Sequence, residues 1–125
     1  MSSLSEIFGQ YRSDYQDLIH DIEADTNTRK IYNGFNIKNN RQCILKIISK
    51  KKLLLGDYDF LIQQINREEE INKICKSENI IEFYRRLDTN DNIIFELEYC
   101  ECDLKSYFES KESLAKDLYF FKKIL

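Results

Sequence analysis

The sequence contains no proline and only three glycines in 125 residues, Gly9, Gly34 and Gly56. That scarcity leaves no flexible or proline-rich stretch to act as a linker, and no internal repeat is visible. No apolar run approaches the roughly 20 residues that a membrane-spanning helix needs. The opening "MSSLSEIFGQY" lacks a basic segment followed by an apolar one, which argues against a secretory signal. Histidine occurs once, as His20, and cysteine four times, at positions 43, 75, 100 and 102. Cys100 and Cys102 form a C-x-C pair with no second pair to complete it, so no metal site is expected. Cys43 and Cys75 read as small core residues, and reduced thiols point to an intracellular, cytoplasmic setting. A large excess of either charge is missing too. With 19 basic and 22 acidic side chains the net charge is −3, so neither nucleic acid nor an anionic membrane is expected as a partner.

What is present describes a globular chain. Hydrophobic residues make up 42% and charged residues 33%, which suits one domain that buries roughly two-thirds of its unfolded surface. Residues 3–12 form a short helix candidate. Strands are expected at 15–23 and 30–36, separated by the polar stretch "ADTNTR" (24–29). A turn at 36–42 follows, in which Asn39 and Asn40 tolerate left-handed geometry, and leads into a strand at 43–48. The basic residues 50–52 read as a solvated strand exit. Asp57 is an N-cap for a long helix over 58–76. Strands at 80–87 and 93–99 flank the polar turn "DTNDN" (88–92), and helices are expected at 103–110 and 113–125. Three strands, a helix, two strands and further helices predict an α+β fold, an antiparallel sheet with a helix packed on it.

The segment "RQCILKIISKKKLL" (41–54) places a single lysine, Lys46, in a β-branched apolar run. A buried ammonium is costly unless a carboxylate or phosphate meets it. The bland reading is a strand whose lysine snorkels to one edge. The helix supplies a partner. Leu61, Ile65, Ile71 and Cys75 recur at helical spacing as one apolar stripe. Glu68 lies in its middle, whereas Glu69 and Glu70 fall progressively off it. The bland alternative for "NREEE" is a solvated acidic patch; the stripe singles out Glu68 as the partner of Lys46.

"CILKII" resembles the V-A-I-K strand of eukaryotic protein kinases, which is followed by a helix whose glutamate pairs the lysine. The similarity extends on both sides. "KIYNGFNIKNNRQCILKII" resembles the second strand, turn and third strand of that family. "EEEINKICKSENIIEFYRRLDTNDNIIFELEYCECDL" resembles its glutamate helix, fourth and fifth strands and hinge. The resemblance covers residues 15–125 and implies a kinase-like small lobe, with a five-stranded antiparallel sheet and one packed long helix. It divides the chain into an N-terminal extension (1–14), the small lobe with hinge (15–102) and the first helices of a truncated large lobe (103–125). It implies that Lys46 holds the α- and β-phosphates of ATP and that Glu68 holds Lys46. Leu97 is then the gatekeeper, while the carbonyl of Glu98 and the N–H of Cys100 bond adenine. Ile31 and Ile44 cover the ring, and Asp103 reaches a ribose hydroxyl.

The pattern is broken in three respects. The G-x-G-x-x-G loop of the family falls on "ADTNTR", with Ala24, Thr26 and Arg29 at the glycine positions. Those glycines let backbone N–H groups approach phosphate, and Thr26 and Thr28 stiffen the loop instead. Ile44 stands where the family carries alanine and crowds the purine, at a cost of about 1–3 kcal/mol. The H-R-D-x-x-x-x-N and D-F-G segments that supply base and metal ligands do not occur before Leu125. The expectation is therefore a catalytically incomplete kinase-like protein with weak or no ATP binding and no Mg²⁺ site, or else a non-catalytic interaction module. Leu114, Leu118, Phe121 and Leu125 form a further apolar stripe, expected to need a protein partner over 114–125.

Overall fold

The computed structural model describes residues 3–74, 81–101, 104 and 106–109. Five strands form one antiparallel sheet: β1 (Tyr15–His20), β2 (Arg29–Asn36), β3 (Arg41–Ser49), β4 (Phe83–Asp88) and β5 (Asn92–Glu98). Their order across the sheet is β1-β2-β3-β5-β4. The helices are α1 (Leu4–Phe8), α2 (Lys50–Leu54) and α3 (Tyr58–Ile74). This is an α+β arrangement consistent with the small lobe of a protein kinase. No helix among the described residues is long and apolar enough to cross a membrane.

Alternation along the central strands builds a core on each face of the sheet. Ile44 and Ile48 of β3, Ile93, Phe95 and Leu97 of β5 and Ile31 of β2 join Ile65 of α3 in an inner core. Cys43, Leu45 and Ile47 of β3 with Ile94 of β5 form an outer core, closed by Ile7 and Phe8 of α1 together with Tyr15. Burial pushes the Cys43 thiol up to about 12, which suits the core role expected of it. A Cβ at Gly34 would lie 2.7 Å from Leu18 Cδ2 on the paired strand β1, so a side chain there would push the end of Leu18 aside.

Several boundaries depart from the sequence reading for local reasons. The N-terminal helix stops at Phe8, where Gly9 takes a φ of +52°, and the chain continues as a 3₁₀ helix through Asp14. β1 ends at His20 rather than 23, because residues 22–24 turn into a 3₁₀ helix through an Ala24 N–H bond to the Asp21 carbonyl. The basic residues 50–52 are helical, not a solvated strand exit. Ser49 Oγ caps α2 by accepting from the Lys52 N–H at 3.3 Å, and Leu53 is buried beneath it. β4 begins at Phe83, not 80, since the Ile81 N–H donates to the Tyr107 hydroxyl at 2.9 Å. Asp57 caps α3 as expected, accepting from the Phe60 N–H at 3.2 Å. Asn40 takes the left-handed geometry assigned to the β2–β3 turn, with φ +53°. Cys100 is disulfide-bonded, in contrast to the fully reduced set expected. Cys75, Asp103 and the stripe at 114–125 lie outside the described residues.

Candidate functional site

Lys46 shares the inner face of β3 with Ile44 and Ile48 because side chains two apart point the same way. Its cross-strand neighbours are Ile31 on β2 and Phe95 on β5. The ammonium therefore emerges in an apolar wall and extends toward α3. Lys46 Nζ lies 3.0 Å from Glu68 Oε1, and the two side chains are only 5% and 11% exposed. The expected bridge between strand and helix is present.

A second cation shares the carboxylate. Arg29 Nη1 donates to the same Glu68 Oε1 at 2.7 Å. Glu68 Oε2 is buried and accepts no hydrogen bond from the described residues. Burial alone would raise the Glu68 carboxyl, but the charges of Lys46 and Arg29 outweigh it and lower it to about 2. Glu68 is thus an anion at any pH above strongly acidic. Glu69 takes a different partner, pairing with Arg86 of β4 at 3.0 Å and with Lys73 at 2.8 Å. Two adjacent carboxylates thereby dock α3 on three strands, β2 and β3 through Glu68 and β4 through Glu69, and Glu70 is left exposed.

The segment 24–29 between β1 and β2 is braced by Asp25. Its Oδ1 accepts from the Ile31 N–H at 3.0 Å and its Oδ2 meets His20 Nε2 at 2.7 Å. The His20 ring stacks on Tyr32 with centroids 4.7 Å apart. The N–H groups of Ala24, Asp25 and Thr26 donate to the carbonyls of Asp21, Ile22 and Arg29. This loop holds its shape by spending its own donors and by presenting a carboxylate.

Ile31, Ile44 and Leu97 sit together on the inner face, at 1%, 0% and 2% exposure. They are not an open wall. Leu104 and Phe108 join them in one buried core, with Ala24 also in it and Tyr107 and Cys100 packed at its edge. The Phe108 ring centroid is 4.9 Å from Lys46 Nζ, within cation–π reach. Glu98 ends β5 on the surface; its N–H donates to the Glu82 carbonyl at 2.8 Å, and its carboxylate accepts from the Glu82 N–H at 3.3 Å.

Sequence reasoning thus brought together Lys46, Glu68, Ile31, Ile44 and Leu97. It placed Arg29 only at a glycine position of the loop and missed Asp25, Leu104 and Phe108. Leu104 and Phe108 are four apart in "DLKSYFES", a spacing that marks one helical face. No local signal in the sequence marks Asp25, whose partners lie five and six residues away.

Comparison with known proteins bears on what such a site belongs to. The chain is 35% identical over 72 residues to CBL-interacting serine/threonine-protein kinase 10 of Arabidopsis thaliana, covering 58% of this chain and 14% of that protein. It is 32% identical over 98 residues to CBL-interacting serine/threonine-protein kinase 2 of the same plant, covering 76% and 21%. Cell division control protein 7 of Schizosaccharomyces pombe is 32% identical over 71 residues, covering 57% and 6%. These matches support a protein-kinase relationship. The kinase-like chain spans about a fifth or less of the length of these relatives. No family model matches it.

Proposed function

We propose that these residues form the nucleotide lobe of a kinase-like protein and that this lobe binds ATP weakly. The observation that carries the reading is the buried Lys46–Glu68 bridge between β3 and α3. In this reading Lys46 meets the α- and β-phosphates and Glu68 fixes its direction. Ile31, Ile44 and Leu97 face the purine, the backbone of Glu98 and Cys100 meets its edge, and Asp103 meets the ribose. Residues 15–102 are the lobe with its hinge, and 103–125 begin a second lobe. Phosphoryl transfer, the activity in the names of the two plant relatives, also needs a metal and a positioned base. No role of that kind is assigned within these 125 residues, whose part is positioning.

Weak binding follows from the loop and the wall. The N–H groups of Ala24, Asp25 and Thr26 are already committed, so they cannot cradle phosphate as a glycine-rich loop does. The Asp25 carboxylate adds like-charge repulsion. Ile44 adds bulk where a purine must lie flat.

A second reading is favoured by Arg29, which shares Glu68 with Lys46. Here the charges are a strut that fixes α3 on the sheet, and the chain is a non-catalytic protein-interaction module, with 114–125 offered to a partner. Titrating the chain with ATP, with and without Mg²⁺, while recording amide chemical shifts separates the two. The nucleotide reading expects shifts at Ile31, Ile44, Lys46 and Leu97 with a dissociation constant no tighter than about 1 mM, roughly −4 kcal/mol. Micromolar, Mg²⁺-dependent binding would overturn the weak-binding clause. Absence of any shift at these positions at 10-fold that concentration, about 10 mM, would favour the strut.

A further inference from the structure

The side chains assigned to the purine are covered by the chain itself. Ile31, Ile44 and Leu97 expose no more than 2% of their surface, and Leu104 and Phe108, at 5% and 4%, are buried with them. A flat ring cannot reach three side chains so enclosed unless something moves. The covering segment is held by a specific contact as well as by apolar packing. The Tyr107 hydroxyl accepts the Ile81 N–H at 2.9 Å, just ahead of β4. Phe108 reaches over the Lys46 ammonium, so the segment covers both the apolar wall and the charged end of the site.

We infer that the helical segment carrying Leu104, Tyr107 and Phe108 is an internal competitor of nucleotide for the inner face of the sheet. The inference rests on the nucleotide reading above and adds a gate to it. Docked, the segment satisfies the Ile81 N–H and seals Ile31, Ile44 and Leu97; undocked, it exposes them together with Lys46. A ligand that binds only the undocked state has its apparent affinity lowered by the fraction of molecules undocked. Removing the contacts of the segment must therefore tighten nucleotide binding. It must do so without altering any residue assigned to the nucleotide.

The test pairs two measurements on the full chain. Hydrogen exchange at the Ile81 amide reads docking without reference to any ligand. Calorimetric titration with ATP reads the site. The Leu104→Ala/Phe108→Ala double variant is expected to accelerate exchange at Ile81 and to tighten ATP binding about tenfold or more. Tyr107→Phe removes only the hydroxyl acceptor, preserves the packing, and is expected to shift both readouts in the same direction by a smaller factor. It decides the matter if the double variant fails to fold. In wild type, saturating ATP is expected to deprotect Ile81. Fast wild-type exchange at Ile81 and at residues 106–109 would overturn the gate and leave the nucleotide reading standing. Wild-type ATP binding that is unchanged in undocked variants would do the same. No ATP binding in wild type or in any undocked variant would overturn both.

Discussion

Glu68 holds two cations on one carboxylate oxygen, and this asymmetry sets what its neighbours can tolerate. In Lys46→Met the carboxylate keeps Arg29 at 2.7 Å, and an apolar side chain of similar length fills the strand position. In Glu68→Ala the carboxylate shared by two largely buried cations is gone. Breaking a buried pair from one side costs about 3–5 kcal/mol, so Glu68→Ala should lower the urea midpoint far more than Lys46→Met. Equal losses would mean that Arg29 does not hold Glu68 in solution. The same residue should shape the acid limb of stability. Its folded carboxyl sits at about 2, against an ordinary value of 4.5. Depression of a carboxyl stabilises the fold above the unfolded pKa and loses that stabilisation as pH falls through the folded one. The loss should therefore run from about pH 4.5 to about pH 2 and amount to something on the order of 3 kcal/mol. Glu68→Gln, which cannot ionise, should flatten that part of the urea-midpoint profile; an unchanged slope would assign it to other carboxylates.

At the scale of elements, one carboxylate ties the sheet together from its outer face. Glu96 of β5 is fully buried. It accepts from the Tyr15 hydroxyl of β1, from Asn36 Nδ2 of β2 at 3.1 Å and from Arg85 Nε of β4 at 3.1 Å, and it lies 3.7 Å from Arg41 Nη2 of β3. Each of the other four strands thus contributes a group to it. Glu96→Ala should cost about 3–5 kcal/mol and should loosen the edge strand β1 first, read as lost amide protection over residues 15–20. Wild-type protection there in a folded Glu96→Ala variant would show that the Tyr15 contact is dispensable. This network also marks where sequence reading stops. The alternation of β3 and β5, the Asp57 cap, the Asn40 turn and the Glu68 stripe were legible because each is written in neighbouring residues or in a short period. The convergence of positions 15, 36, 41 and 85 on Glu96 was not, since it depends on register across five strands. "IFELEY" shows a glutamate in an apolar strand, but its partners lie up to 81 residues away. Helix α2 was missed because three successive lysines mask a capping serine and one buried leucine.

The whole molecule is organised by a sheet that serves two cores at once. β3 gives Ile44 and Ile48 to the inner core and Cys43, Leu45 and Ile47 to the outer one, and β5 divides its residues in the same way. Neither core can be lost without stripping one face from both central strands, so the two faces should unfold as a unit. Phe8→Ala on the outer face should cost about 3–5 kcal/mol and Ile65→Ala on the inner face about 2–5 kcal/mol. Either is a large part of the roughly 5–15 kcal/mol that holds a domain of this kind. Side-chain NMR resonances of Tyr15 and Tyr32 report on the outer face, whereas far-UV helix dichroism draws on α3, the longest helix among the described residues, on the inner one. In both variants the two signals should move to one shared lower midpoint, as a two-state transition requires. A Phe8→Ala protein whose tyrosine signal melts early while its helix signal keeps the wild-type midpoint would show that α1 and the outer core are an independent layer. The shared strands argue against that outcome, because the residues that would have to stay ordered on the inner face alternate, one by one, with those that would have to melt.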